Sequence, residues 1–325
     1  MRVLVTGITG FVGSHLADHL AAHHPEVEIH GLVRWRSPLD HLRGRLGDVT
    51  LHHGELRDLP SLLDVLAACR PEAVFHLAAQ SYVPASFTAP VDTLDVNVLG
   101  TTNLLEAVRR VGLDPVVHVC SSSEVYGQVG PDDVPIDEDC PLRPVSPYGV
   151  SKVGEDLIAS VYHLAHGVRT IRSRMFTHSG PRRGEVFVDS WFALQLARIE
   201  AGRQEPVVRV GNLDSVRTFC DVRDTVRAYW TLVKRGKVGE VYNIGGATTM
   251  TVREMLERLR ELSPAGRAIE VRTDPALLRP TDVTLQIPCT AKFEADTGWR
   301  PEIPYAQTLA DMLDYWRQRV SLGTA

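Results

Sequence analysis

The sequence predicts an α/β chain: a doubly wound parallel (Rossmann) sheet with a smaller, discontinuous C-terminal substrate-binding lobe. Three observations lead there. A short apolar run, Arg2–Thr6, feeds a set of glycines and then an amphipathic stretch. β-type runs alternate with helical ones as far as residue 176, and beyond it the texture breaks into blocks rich in Pro, Gly and Arg. Alternation of this kind builds a parallel sheet with right-handed crossovers, and the largely apolar VLV, VFHL and VVHV suit strands buried on both faces. Residues 1–176 with about 216–245 form the sheet domain, and about 177–215 with 246–325 form the lobe.

The chain has 325 residues, 44% of them hydrophobic, which is enough for a sizeable core. A net charge of −5 with interleaved signs excludes a nucleic-acid stripe and a polybasic membrane patch. Any anionic ligand must then be held locally. No apolar run is long enough to span a bilayer, and the N-terminus lacks the apolar core of a signal peptide. The five cysteines are widely spaced without a CxxC pair, which fits a reduced, cytoplasmic setting. Thirteen histidines form no HExxH, and the adjacent pairs at 23–24 and 52–53 should point apart, so no metal site is expected.

Taken in order, the first strand runs into GITGFVG and then the helix SHLADHLAAHH. Gly7 can turn tightly, Gly10 lets backbone N–H groups approach a pyrophosphate, and Gly13 permits close helix-to-strand packing. A dinucleotide is therefore expected here. The next strand, 27–33, ends where an acid would bind the ribose 2′-hydroxyl of NAD, but Arg34-Trp35-Arg36 stands there instead. A guanidinium pairs with a 2′-phosphate, so the expected cofactor is NADP. The alternation continues through VTLHHGEL, the helix PSLLDVLAAC, a strand at 73–79, a helix around 92–111 and the strand PVVHVC. SSSEVYG follows that strand and so lies at the ligand edge of the sheet.

SPYGVSKVGEDLIASVYHLA reads as a helix with Tyr148 near its start, and GVRTIRSRM as a strand. Tyr148 and Lys152 are four residues apart and share a helix face. An adjacent ammonium favours the phenolate, so Lys152 should lower the Tyr148 pKa and make it an acid/base. One helix stands out in 177–215; VRTFCDVRDTVRAYWTLV and EVYNIGG return to sheet-and-helix style, and TMTVREMLERLREL, AIEVR and LLRPTDV form another irregular block.

With TGITGFVG, HLAAQSYV, NVLGTTNLLEAV, SSSEVYG, SPYGVSK, YNIGG and TGWRPEIP in place, nearly the whole chain resembles the extended short-chain dehydrogenase/reductases that modify nucleotide sugars. AQSYV, PRRGEVFV, VGNLDSVRTFCDVRD and RPTDV make it most similar to the GDP-mannose 4,6-dehydratases and the related GDP-4-keto-6-deoxymannose reductases. The resemblance implies cofactor contacts at Gly7, Gly10, Phe11, Val12, Gly13, Arg34, Leu77, Ala78, Ala79, Tyr148 and Lys152. Glu55 and Leu56 stand where the family has an Asp-Leu pair that reads adenine. It implies Ser122, Glu124, Tyr148 and Lys152 as catalytic residues, with Ser122 where dehydratases have threonine. Ser81, Arg183, Asn212, Arg217, Arg279 and Asp282 are implied to hold the sugar nucleotide, GDP-mannose being the expected one.

In the dehydratase reading, Ser122 and Tyr148 engage the sugar 4-hydroxyl and hydride leaves C4 for NADP. Glu124 then takes the C5 proton, water leaves, and the hydride returns to C6. The alternatives are the NADPH-consuming 4-keto reductase, a 4-epimerase, which needs no acid at position 124, and a non-catalytic NADP-binding protein. The resemblance also implies a homodimer, or a homotetramer, built through the helices near 92–111 and 148–164.

Overall fold

The computed structural model describes residues 1–278 and 280–324. The first part of the chain runs β1 (Arg2–Thr6), α1 (Phe11–His23), β2 (Glu28–Val33), β3 (Val49–His53), α2 (Leu59–Cys69), β4 (Ala73–His76), α3 (Val83–Thr88), α4 (Pro90–Leu94), α5 (Gly100–Val111), β5 (Val116–Ser122), α6 (Pro147–His166) and β6 (Thr170–Met175). There follow β7 (His178–Ser179), α7 (Val188–Glu200), β8 (Val207–Val210), β9 (Val216–Asp221), α8 (Val222–Arg235), β10 (Val241–Ile244), β11 (Thr248–Thr251), α9 (Val252–Glu261), β12 (Glu270–Thr273), β13 (Leu285–Gln286), α10 (Ala291–Thr297) and α11 (Tyr305–Ser321).

Seven strands form one parallel sheet in the order β10-β6-β5-β4-β1-β2-β3. The order reverses at β1, whose neighbours are β2 and β4, and the crevice beyond such a switch point is where an open sheet takes its ligand. Because every strand is parallel, the loops after β1, β2, β3, β4 and β5 all emerge at one edge. The predicted fold class is the observed one.

Local chemistry sets the strand ends. The apolar run at 73–79 stops being a strand at His76, because the N–H groups of Leu77 and Ala78 turn to the buried Thr6 hydroxyl, 3.1 Å from each. The single helix expected near 92–111 is α4 and α5 joined by one wider π turn at Asp95–Leu99. Within that turn Asn97 is fully buried, and its amide binds the backbone of Gln80 and the hydroxyl of Ser151. These bonds fix the β4 loop to α6.

Buried apolar side chains cluster separately beneath the sheet and in the lobe. Phe192, Leu196, Val208, Met255, Leu309 and Trp316 belong to the lobe's core, built from α7, β8, α9 and α11. Two expectations about its extent need correction. Phe293 and Trp299 pack with Tyr229 and Tyr242 in the sheet core, so α10 goes with the sheet. β9, assigned above to the sheet domain, instead pairs with β7, β11 and β13 in a second, four-stranded sheet. The segment before β13 crosses back to the sheet domain: Thr281 donates to the Val145 carbonyl at 2.7 Å, and Gln128 bonds Thr284.

Candidate active site

The site is best built outward from α6, whose first turn fixes the phenol. Ser146 caps the helix by accepting the Gly149 N–H at 3.0 Å, and Pro147 occupies the first turn, where its missing N–H costs nothing. α6 lies on β5, and this packing buries one face of the helix against the strand that ends in Ser122. Tyr148 and Lys152 emerge one turn apart on that face, with the ammonium 5.9 Å from the phenol ring centre. Ser121 reinforces the contact by donating to the Lys152 carbonyl.

Lys152 is buried and held by specific partners. Its Nζ donates to the Cys120 carbonyl at 3.0 Å and to Glu155 Oε2 at 2.9 Å. Glu155, only 1% exposed, was not singled out from the sequence. Its signal was an acid three residues past a lysine on the buried helix face. Next to it, Asp156 is fully buried and bound by Arg172 and Arg174 from β6.

The expected effect of Lys152 on Tyr148 is present but does not decide the net shift. Lys152 does pull the phenol pKa down, as does a hydrogen bond from the Ser122 side, but burial outweighs both and Glu155 opposes them. The phenol is pushed up to about 12. Burial likewise raises the Glu155 carboxyl to about 7, against the pull of Lys152. Tyr148 therefore stands at neutral pH as a protonated acid.

Ser122 ends β5 and caps a short turn at Ser123–Val125 by accepting the Glu124 N–H at 3.2 Å. Glu124 is thereby held beside Ser122 at the ligand edge, and its backbone carbonyl lies against Gly149 of α6, where a Cβ would come within 2.9 Å. Ser122, Glu124, Tyr148 and Lys152 are thus brought together.

The glycine loop has the form a dinucleotide needs. Gly7 adopts φ +69°, and a Cβ there would lie 2.9 Å from the Ala78 backbone. A side chain at Gly13 would strike the Gly7 carbonyl. Beneath the loop, Thr6, His76 and Thr101 form a buried chain with both imidazole nitrogens bonded at 2.8 Å. Phe11 opens α1 with its ring stacked on His178 at 5.8 Å, and Val12 packs into the sheet core. Arg34 and Arg36 are exposed directly after β2, and the Arg34 N–H is fixed by the Ser37 hydroxyl. Glu55 lies on the neighbouring loop, 3.8 Å from Arg57, while Leu56 is buried against Gly100. Leu77 and Ala78 lie against Gly7, and Ala79 follows them in the same loop. The cradle and the exposed arginines fit a phosphate-bearing dinucleotide.

In the lobe, residues from distant segments meet. Asn212 donates to Asp282 Oδ2 at 3.0 Å, and Arg217 lies 3.8 Å from Asp282 Oδ1. Arg183 is 3.2 Å from Asp189, and its guanidinium covers the Phe187 ring, which in turn meets Tyr82. Ser81 is exposed beside Tyr82 in the loop after β4. Arg279 lies outside the described residues.

Among the described residues no three His, Cys, Asp or Glu side chains gather as a metal ion requires. His23 and His24 do not simply point apart, since His19 packs within 5.0 Å of His23 and 5.5 Å of His24. All five cysteines are free thiols. No described helix is long and apolar enough to cross a membrane.

Comparison with known proteins matches residues 4–312 to the family model for GDP-mannose 4,6 dehydratase. The chain is 36% identical to the GDP-6-deoxy-D-mannose reductase of Pseudomonas aeruginosa, covering 98% of both proteins. It is 31% identical to the GDP-mannose 4,6-dehydratase of Yersinia enterocolitica, covering 96% of this chain and 92% of that one. Among solved structures, that of RMD from Pseudomonas aeruginosa complexed with NADPH superposes with a TM-score of 0.84 at 34% identity, over 98% of this chain and 99% of that one.

Proposed function

We propose that this chain, which belongs to the GDP-mannose 4,6-dehydratase family of extended short-chain dehydrogenase/reductases, is an NADPH-dependent reductase of GDP-4-keto-6-deoxymannose. The observation that carries the reading is the likeness to a GDP-6-deoxy-D-mannose reductase, 36% identical over 98% of both chains, and the buried Tyr148 is suited to it. A buried phenol pushed up to about 12 is an acid at neutral pH, and an acid is what a 4-keto oxygen needs as it becomes a hydroxyl.

Bound NADPH would supply the hydride for C4. The loop Gly7–Gly10–Gly13 would hold its pyrophosphate and Arg34 with Arg36 its 2′-phosphate. Ser122 and Tyr148 hydrogen-bond the keto oxygen, Tyr148 passes its proton to that oxygen, and the Lys152 ammonium stabilises the phenolate left behind. Asn212, Arg217 and Asp282 face the diphosphate, with Arg217 the cation and Asn212 and Asp282 orienting it. Arg183 and Ser81 stand at the sugar end.

Glu124 favours a second reading. A carboxylate beside Ser122 is placed to take a C5 proton once C4 is a ketone, which would make the chain the 4,6-dehydratase first expected. One assay separates the two. The purified chain is given GDP-4-keto-6-deoxymannose with NADPH, or GDP-mannose with NADP⁺, and followed by NADPH absorbance and mass spectrometry. NADPH consumption on the keto sugar without water loss from GDP-mannose is expected. Loss of one water from GDP-mannose would replace the reductase by the dehydratase, and Glu124→Gln should then block that loss.

We also infer a homodimer. Val91, Leu94 and Leu99 on the α4–α5 segment and Val150, Leu157, Val161 and Leu164 on α6 are all more than a third exposed, an apolar face that a second copy would cover. Light scattering should give at least twice the monomer mass; a monomer would overturn it.

A further inference from the structure

We propose that Glu155 is a positioning residue: paired with Lys152, it completes the charge balance of the buried site around a protonated Tyr148 and so sets the pH at which the phenol yields its proton. The proposal deepens the reading above and rests on Tyr148 being the proton carrier. Three facts of geometry support it. The carboxylate is 2.9 Å from the ammonium, and the two side chains are only 1% and 6% exposed. Lys152 cannot turn away, because the Cys120 carbonyl holds it from β5. Among the described residues Glu155 Oε1 has no hydrogen-bond partner, so the carboxylate's attachment here is to Lys152.

A site shielded from water favours states of zero net charge. With Glu155 ionised and Lys152 charged, neutrality is met when Tyr148 keeps its proton. Without the carboxylate, the same site is neutral when Tyr148 is a phenolate facing Lys152. The count is of these three groups alone. The charges next to them are Asp156 on α6, which faces the two guanidiniums of Arg172 and Arg174 on β6, and Glu124 in the turn after β5, whose backbone carbonyl lies against Gly149. His76 of β4 is a buried neutral imidazole, and Cys120 of β5 a thiol in contact with the Tyr229 hydroxyl of α8. Beside burial, the Lys152–Glu155 pair is the charge arrangement that acts on Tyr148, and its Glu155 member favours the acid form of the phenol.

The test reads Tyr148 directly. Tyrosinate absorbance of the full chain is followed in stopped-flow pH jumps, with the Tyr148→Phe signal subtracted. Glu155→Gln should move the Tyr148 midpoint to lower pH by about one unit or more. Glu155→Asp, which draws the charge back by one methylene, should move it the same way by less and carries the test if the Gln variant does not fold. A midpoint that stays put or rises in the folded variants overturns the proposal, as does deprotonation of Lys152 in place of Tyr148. Turnover of GDP-4-keto-6-deoxymannose separates the two claims. Activity surviving Tyr148→Phe would sink the proton-carrier reading alone, whereas Tyr148-dependent turnover with an unmoved midpoint would sink the role of Glu155 alone.

Discussion

The two ends of the cleft are built on opposite plans. At the sheet end, Tyr148, Lys152 and Glu155 are nearly closed to water, and Lys152 is held at 3.0 Å by the Cys120 carbonyl of β5 and at 2.9 Å by Glu155 of α6. At the lobe end, Arg217 and Asp282 are 12% and 23% exposed and stand 3.8 Å apart, on strands and loops far separated in the chain. Burial is what makes a phenol and a carboxyl shift from their ordinary values, so the chemistry belongs where water is excluded. Holding a diphosphate asks only for a cation that can exchange one anion for another, and an arginine beside a partly exposed aspartate does that.

If the contrast is sound, mutations at the two ends should fail differently. Tyr148→Phe removes the proton donor and little else, so turnover should drop by about a hundredfold to ten-thousandfold with folding intact. A phenylalanine variant with near-normal turnover would break the comparison. Lys152→Met leaves Glu155 buried without its cation and should cost about 3–5 kcal/mol of stability near neutral pH. The cost should shrink in acid, where Glu155 takes up a proton; denaturant melts at several pH values would show it. Arg217→Ala should instead raise KM by roughly tenfold to a hundredfold with kcat little changed, the loss of one charge-assisted contact. Its effect on folding should stay within about 1 kcal/mol. A fall in kcat would place Arg217 with the chemistry and erase the distinction.

What the sequence made legible follows the same divide. The sheet end is local: a glycine turn after one strand, serines after another, and a tyrosine and lysine at helix spacing could each be read within a few residues. Asn212, Arg217 and Asp282 lie on segments that only folding brings together, so no spacing pointed to them and resemblance alone did. Glu155 was missed for another reason. Its type and position were plain, but an acid three residues after a lysine reads as a solvated helix pair until burial is known. The same ignorance of burial left the net shift of Tyr148 unread, because proximity of Lys152 can be read from spacing and desolvation cannot. The unexpected break between α4 and α5 depends on Asn97 reaching Gln80 and Ser151, partners in other parts of the chain.

The smallest expected effect concerns the support under the sheet end, where two histidines are kept neutral. His76, bonded to Thr6 and Thr101, and His118, bonded to Ser173, are both held down to about 3 by burial. In the unfolded chain each would titrate near its ordinary value of about 6.5. A depressed folded value means that the stabilisation is complete above that unfolded value and is lost as pH falls from there towards 3. Each histidine should contribute a slope of at most about 1.4 kcal/mol per pH unit in that window. Urea melts from about pH 7 down to about pH 5 should show the loss, and His118→Gln should reduce the slope by about one proton's worth. The Asn212–Arg217–Asp282 cluster contains no histidine, so Arg217→Ala should leave the slope as it is. A slope that follows the lobe variant and ignores His118 would place the acid-sensitive element at the open end of the cleft.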